Sequence, residues 1–227
     1  MGWLGKGQAM TLEGPRWGPA SASAPRKLVV LLHGVGADGF DLIDLAPGWG
    51  KAVPEALFIA PHGPEPCDLA PHGRQWFSLQ DRAPSRVEAG ARHAGAVLTP
   101  WIAAELAALG LAQADLVLMG FSQGAMAALF TGLRLTPGCA GILAYAGALP
   151  GAAGLAAQIA SRPPVLLVHG EADEVVPVAA SRQAESVLRG LGVAVEVAYR
   201  PGLGHGLDEA GISLGALSLQ RMLAEPI

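Results

Sequence analysis

The chain is predicted to fold as one α/β domain, a mostly parallel central sheet with helices on both faces. Three observations predict it. Short unbroken runs of Val, Leu and Ile recur along the sequence, and helical periodicity lies between most of them. The third is size: 227 residues, 51% of them hydrophobic and only 15% charged, suffice for a single filled core without covalent staples. A strand with one wet face alternates apolar and polar residues, whereas a strand covered on both faces does not. Alternating strands and helices then imply a parallel, doubly wound arrangement.

The first strand is Leu28, Val29, Val30, Leu31 and Leu32, apolar throughout. Similar runs mark strands at 56–60, 116–119, 142–146 and 165–168, and a more alternating one at 193–199. The longest helical pattern covers 88–109. Val97, Trp101, Ala104 and Ala108 share one face, and Leu98, Ile102, Leu106 and Leu109 widen it. Pro100 should kink or split that helix, because it removes one backbone donor and its ring crowds the preceding turn. Helices are also expected at 125–135, 178–191 and 214–224, with Asp208 as an N-cap. The segment 61–74 is rich in Pro, Gly and His and offers little regular structure, so it reads as a functional lid or rim. Residues 1–9 read as a disordered or vector-derived tail ahead of Met10, and 10–227 as the domain.

The composition excludes several classes of function. A net charge of −4 with no basic stripe argues against nucleic acid as a partner. No stretch approaches the ~20 apolar residues that span a bilayer, so no membrane insertion is expected. The N-terminus has no apolar core of a signal peptide. Cys67 and Cys139 are too few and too far apart for a disulfide framework and fit two free thiols in a cytoplasmic protein. His62, His72 and His93 lack ligand spacing, so no metal is expected.

The chemistry centres on Ser122, in Gly120-Phe-Ser-Gln-Gly124 directly after the strand at 116–119. A strand that turns sharply into a helix strains its middle residue and lifts that side chain clear of the sheet, with the helix N-terminus aimed at the reacting atom. Ser122 is therefore the candidate nucleophile. A serine needs a base, and the base an orienting acid. In a strand–serine–helix architecture these follow in the order Ser, acid, His. His205 stands in a glycine-rich loop after the last strand, at the end of the sheet where open α/β proteins place their sites. His169 ends a strand and is better read as packed, its ring satisfied by backbone. The acid is expected in the loop after 165–168, where Glu171, Asp173 and Glu174 all qualify by type.

Residues 34–39 also match the Gly-rich dinucleotide fingerprint. That site needs a carboxylate at the far end of the next strand, but this strand ends in Pro61 and His62, and Glu55 precedes it. The same glycines suit an oxyanion loop, where backbone must approach a substrate closely.

Taken together, 32–39, Gln75-Trp-Phe77, 120–124, Tyr145-Ala-Gly-Ala-Leu-Pro150, 169–177 and Gly204-His205 resemble the phospholipase/carboxylesterase family of α/β-hydrolases, which includes the acyl-protein thioesterases. The resemblance implies a single-domain α/β-hydrolase fold with a minimal lid and no cap domain. It implies that Asp173 is the acid, that the backbone amides of Val35 and Gln123 form the oxyanion hole, and that Trp76 lies near the acyl pocket. It further implies a small-molecule ester as substrate and no cofactor, and a homodimer is a candidate assembly. One departure is Phe40-Asp41, where bacterial relatives often carry Asn-Asp, which could alter the pocket edge.

Overall fold

A computed structural model describes residues 11–224, so the tail expected at 1–9 lies outside the described residues. The elements run β1 (Arg16–Trp17), β2 (Lys27–Leu32), α1 (Gly39–Ile43), α2 (Ala46–Trp49), β3 (Ala56–Ile59), β4 (Glu65–Pro66), β5 (Arg74–Gln75) and α3 (Pro84–Leu109). They continue with β6 (Leu116–Phe121), α4 (Gln123–Gly132), β7 (Gly141–Tyr145), β8 (Val165–Gly170), α5 (Ala179–Gly190), β9 (Val195–Arg200) and α6 (Glu209–Leu223). Among the described residues, seven strands form one sheet in the order β1-β3-β2-β6-β7-β8-β9. All neighbours are parallel except β1, which pairs antiparallel with β3 at the edge. Every strand predicted from an apolar run is present, within a few residues of the expected ends.

The unbroken apolar runs have a simple cause. Leu28, Val30 and Leu32 of β2 face a core layer shared with α3, α4 and α5, while Val29 and Leu31 face a second layer with α2 and α6. Both faces are covered, so no position in the strand is free to be polar. Trp49 and Tyr145 anchor the second layer, each with its polar atom satisfied by α6 backbone: Trp49 donates to Ile212 O at 3.0 Å and Tyr145 to Gly211 O at 3.0 Å.

Three elements differ from expectation. Pro100 does not split α3, which runs unbroken from 84 to 109. The ring lies on the exposed side with Ala96 and Thr99, where water can reach the carbonyl left without a partner. Helix α6 begins earlier than 214 because Asp208 caps it, its Oδ1 accepting from Gly211 N at 2.8 Å. The 61–74 segment is not irregular throughout: β4 and β5 pair as a short antiparallel hairpin. That hairpin is knitted to the 34–37 loop, since Gly36 N donates to Arg74 O at 2.9 Å and Arg74 N to Ala37 O at 2.8 Å.

Candidate active site

The site lies at the C-terminal ends of β2, β6, β8 and β9. Ser122 follows β6 with φ +55° and ψ −115°, a conformation that side chains other than glycine rarely adopt. Close packing enforces the turn. A Cβ on Gly120 would overlap the Gly124 carbonyl, and one on Gly124 would overlap the carbonyl oxygen of Leu32. Ser122 occupies the N-cap of α4 but makes no capping bond with its side chain. The hydroxyl is instead turned toward a histidine.

That histidine is His205, with Nε2 3.0 Å from Ser122 Oγ and Nδ1 2.7 Å from Asp173 Oδ2. An ionised carboxylate only accepts, so Nδ1 carries the proton and Nε2 is left to accept from the serine hydroxyl. The Phe121 ring packs on the imidazole at 4.9 Å between centroids. Of the three acids left open by the sequence, the structure brings Asp173 to the imidazole. Glu171 is engaged by Arg182 at 2.9 Å, and Glu174 lies on the exposed side of the same loop. Burial works against the Asp173 charge. Hydrogen bonds from His205 and from the Val176 and Val175 amides, both amides 2.9 Å from Oδ1, outweigh it and hold the carboxyl below its ordinary range.

His169 is fully buried, as expected, but not only by backbone. Its Nε2 lies 2.8 Å from Val176 O and 3.2 Å from Asp173 Oδ2, and its Nδ1 lies 2.6 Å from Ser181 Oγ.

The opposite wall is backbone. Val35 and Ser122 line one cavity, and the Val35 and Gln123 amides have no hydrogen-bond partner among the described residues. Buried side chains hold this wall. His33 accepts from Gly63 N through Nε2 at 2.8 Å, so its Nδ1 carries the proton and donates to Gly34 O at 2.7 Å. Burial pushes the His33 pKa below its ordinary value and keeps the ring neutral. The Gln123 side chain accepts from Trp76 N at 2.9 Å and donates to Phe77 O at 2.7 Å. Trp76 donates its indole N–H to His33 O at 2.9 Å. Its expected contact with substrate needs correction: Trp76 is 0% exposed and sits behind the loop, outside the cavity lining. Phe40, the departure noted in the sequence, is exposed against His62 and does not line the cavity either.

The cavity beside Ser122 has a volume of about 610 Å³ and mostly apolar walls, including Leu79, Val87, Met126, Leu149 and Val176. A cavity of about 630 Å³ at the opposite end of the sheet, by Lys27, Val53 and Glu55, holds none of this chemistry. Among the described residues no cluster of His, Cys, Asp and Glu is placed to hold a metal ion, and no helix is long and apolar enough to cross a membrane.

Comparison with known proteins places the fold in a family. The phospholipase/carboxylesterase family profile matches residues 19–220. The chain belongs to the phospholipase/carboxylesterase family. Its fold is therefore that of the α/β-hydrolases, and the Gly-rich 34–39 stretch is a loop of that fold rather than a dinucleotide fingerprint. Within reach of this family, the chain is 42% identical to the crystal structure of esterase PE8, with a TM-score of 0.89, covering 94% of this chain and 100% of that one. It is 30% identical over 203 residues to a probable inactive carboxylesterase of Oryza sativa subsp. japonica, covering 84% of this chain and 82% of the relative. It is 28% identical over 202 residues to acyl-protein thioesterase 1 of Gibberella zeae, covering 82% and 86%.

What sequence reasoning missed are the groups that hold the site rather than form it: the Gln123 amide side chain, His169 and Ser181. Their partners lie up to 47 residues away, so no local spacing signals them. Histidine at the end of a buried strand was the one available hint.

Proposed function

We propose that the chain is a serine carboxylesterase that hydrolyses small-molecule carboxylic esters through an acyl-enzyme. The observation that carries this reading is the continuous line from Ser122 Oγ through His205 to Asp173, at 3.0 and 2.7 Å, opening into an apolar cavity of small-molecule size. Ser122 Oγ attacks the ester carbonyl carbon while its proton passes to His205 Nε2. The carbonyl electrons move onto oxygen, and the Val35 and Gln123 amides donate hydrogen bonds to that oxyanion. One such donor contributes about 2.7–4 kcal/mol in comparable enzymes. The tetrahedral adduct collapses, and the leaving alkoxide takes the proton from His205. Water then repeats the sequence on the acyl-serine: its proton goes to His205, its oxygen to the carbonyl carbon, and Ser122 leaves reprotonated as the acid is released. Asp173 keeps the proton of neutral His205 on Nδ1 and stabilises the imidazolium.

A relative named inactive bears on this reading, but here all three side chains are present and joined. That also separates this chain from a non-catalytic receptor of the same fold, which needs no such line. A fluorophosphonate probe tests the proposal: it should label Ser122 stoichiometrically. An unlabelled serine in folded protein would refute a nucleophilic role.

A second reading, a thioesterase or lysophospholipase for long acyl chains, draws on the apolar walls and on the relative named acyl-protein thioesterase. Rates on short and long nitrophenyl esters and on an acyl-thioester separate the two. Preference for short esters supports the first reading, and preference for the long chain or the thioester supports the second.

A further inference from the structure

Asp173 touches two imidazoles, and the reaction above uses only one. We propose that His169 is a positioning residue for that reaction, a second neutral imidazole that holds Asp173 in register with His205. The inference rests on the reading of Asp173 as the acid.

The protonation state follows from the partners. His169 Nε2 lies 2.8 Å from the Val176 carbonyl oxygen, which can only accept, so Nε2 bears the proton. Asp173 Oδ2 lies 3.2 Å from the same Nε2, a close polar contact beside that bond. Nδ1 therefore accepts, and its partner is the Ser181 hydroxyl at 2.6 Å. Ser181 belongs to α5, and its oxygen also lies 3.4 Å from the carbonyl of Gly147, in the loop that follows β7 beside the nucleophile elbow. A single buried ring thus ties the 173–176 loop to β8 and to α5. Asp173 is the titratable group in contact with the ring among the described residues; α5 presents the neutral Ser181.

The division of labour on the carboxylate is specific. Oδ1 is filled by two loop amides, from Val175 and Val176. Oδ2, the oxygen that meets His205, also has His169 Nε2 3.2 Å away. The ring packs against Oδ2 and, by donating to Val176 O, holds the loop that carries the carboxylate. With its side chain 0% exposed, His169 cannot touch substrate, so its effect must travel through Asp173.

The test compares His169→Leu, which deletes both ring donors and acceptors, with His169→Gln, whose amide N–H can replace the donor, using a soluble nitrophenyl ester. For His169→Leu, kcat should fall roughly tenfold, the scale of a buried hydrogen bond lost from the loop that positions Asp173, with KM within about twofold. His169→Gln should recover most of the loss. Unchanged kcat, a loss carried by KM instead of kcat, or no recovery by Gln overturns the proposal and leaves His169 a packing residue. If the Leu variant fails to fold, nitrogen NMR of the wild-type ring decides: a proton on Nδ1 instead of Nε2 removes the donor and the proposal with it. A Ser122→Ala control run alongside distinguishes failure of the underlying reading, since only that failure would leave Ser122→Ala active.

Discussion

The two walls of the site are built by different means. On one, three side chains from the ends of β6, β8 and β9 meet through their own functional groups: Ser122, Asp173 and His205. On the other, which we propose as the oxyanion wall, the main-chain amides at Val35 and Gln123 have no hydrogen-bond partner among the described residues, and the side chains that brace them stay out of the cavity. His33, Trp76 and the Gln123 amide are 0% exposed and hold only backbone. The first wall localises chemistry in single residues. The second distributes it over a scaffold, in which the 61–75 hairpin is pinned to the 34–37 loop and no one side chain carries the function. Substitutions should therefore act steeply on the first wall and gradually on the second.

The steepest effect is expected at Ser122. Replacement by Ala should lower kcat by roughly 10⁴- to 10⁶-fold, while thermal unfolding shifts little because the hydroxyl bonds only to His205. Measurable turnover by rigorously purified Ser122→Ala would dissolve the contrast, since it would mean that the backbone wall catalyses without the nucleophile. Next comes Asp173→Asn, with a loss of about 10⁴-fold in kcat. Asn can still accept from Val175 and Val176, but its amide would face His205 Nδ1–H and select the wrong tautomer. A near-native rate would move the acid elsewhere on the loop.

The contrast also explains what the sequence reveals. Ser122 and His205 are legible because chemistry restricts residue type, the chain order is constrained, and each stands where a buried apolar run ends. Asp173 needed the family pattern, since Glu171 and Glu174 share its loop and its type, and only folding shows that Arg182 occupies Glu171. The sheet is legible for the same reason as the nucleophile: β2, β6, β7 and β8 are covered on both faces and cannot hide their runs. The scaffold is not. A glutamine that pairs with backbone 46 residues upstream leaves no periodic trace. Helices of four or five residues and strands of two, such as α2, α1, β4 and β5, are too short to show any period. Trp76 illustrates the cost of the gap. The family pattern placed it near the pocket, and it is near, but on the far side of the loop it supports.

On the scaffold wall a smaller effect is expected from Gln123→Ala. The backbone donor at 123 remains, but the buried Trp76 N–H and the Phe77 carbonyl lose their partners. Two unsatisfied groups cost about 2–6 kcal/mol, readable as a lower urea midpoint. Loosening the wall should reduce kcat roughly 10- to 100-fold, below the 10²–10³ seen when an oxyanion donor is deleted outright. If stability falls while kcat stays native, the oxyanion donors do not depend on this pin, and the two walls are less different than proposed.

The smallest effect separates the walls by pH. Burial holds the folded pKa of His33 below its ordinary 6.5. Above that value the ring is neutral in both states and stability is unaffected. As pH falls through 6.5 the unfolded chain takes up a proton that folded His33 refuses, so stability drops. Asp173 works in the same direction in a different window. Its folded pKa is depressed, so its contribution is complete above the ordinary 3.8 and is lost only as pH falls below that value toward the folded pKa. Mild acid should therefore weaken the scaffold wall before it reaches the carboxylate of the triad. His33→Gln keeps one acceptor and one donor without a titration. The stability difference between wild type and His33→Gln, from urea unfolding, should shrink between about pH 7 and pH 5 as the wild type alone pays this penalty; the other histidines cancel in the difference. Parallel curves over that range would place the His33 titration outside the folding equilibrium and leave mild acid acting on both walls alike.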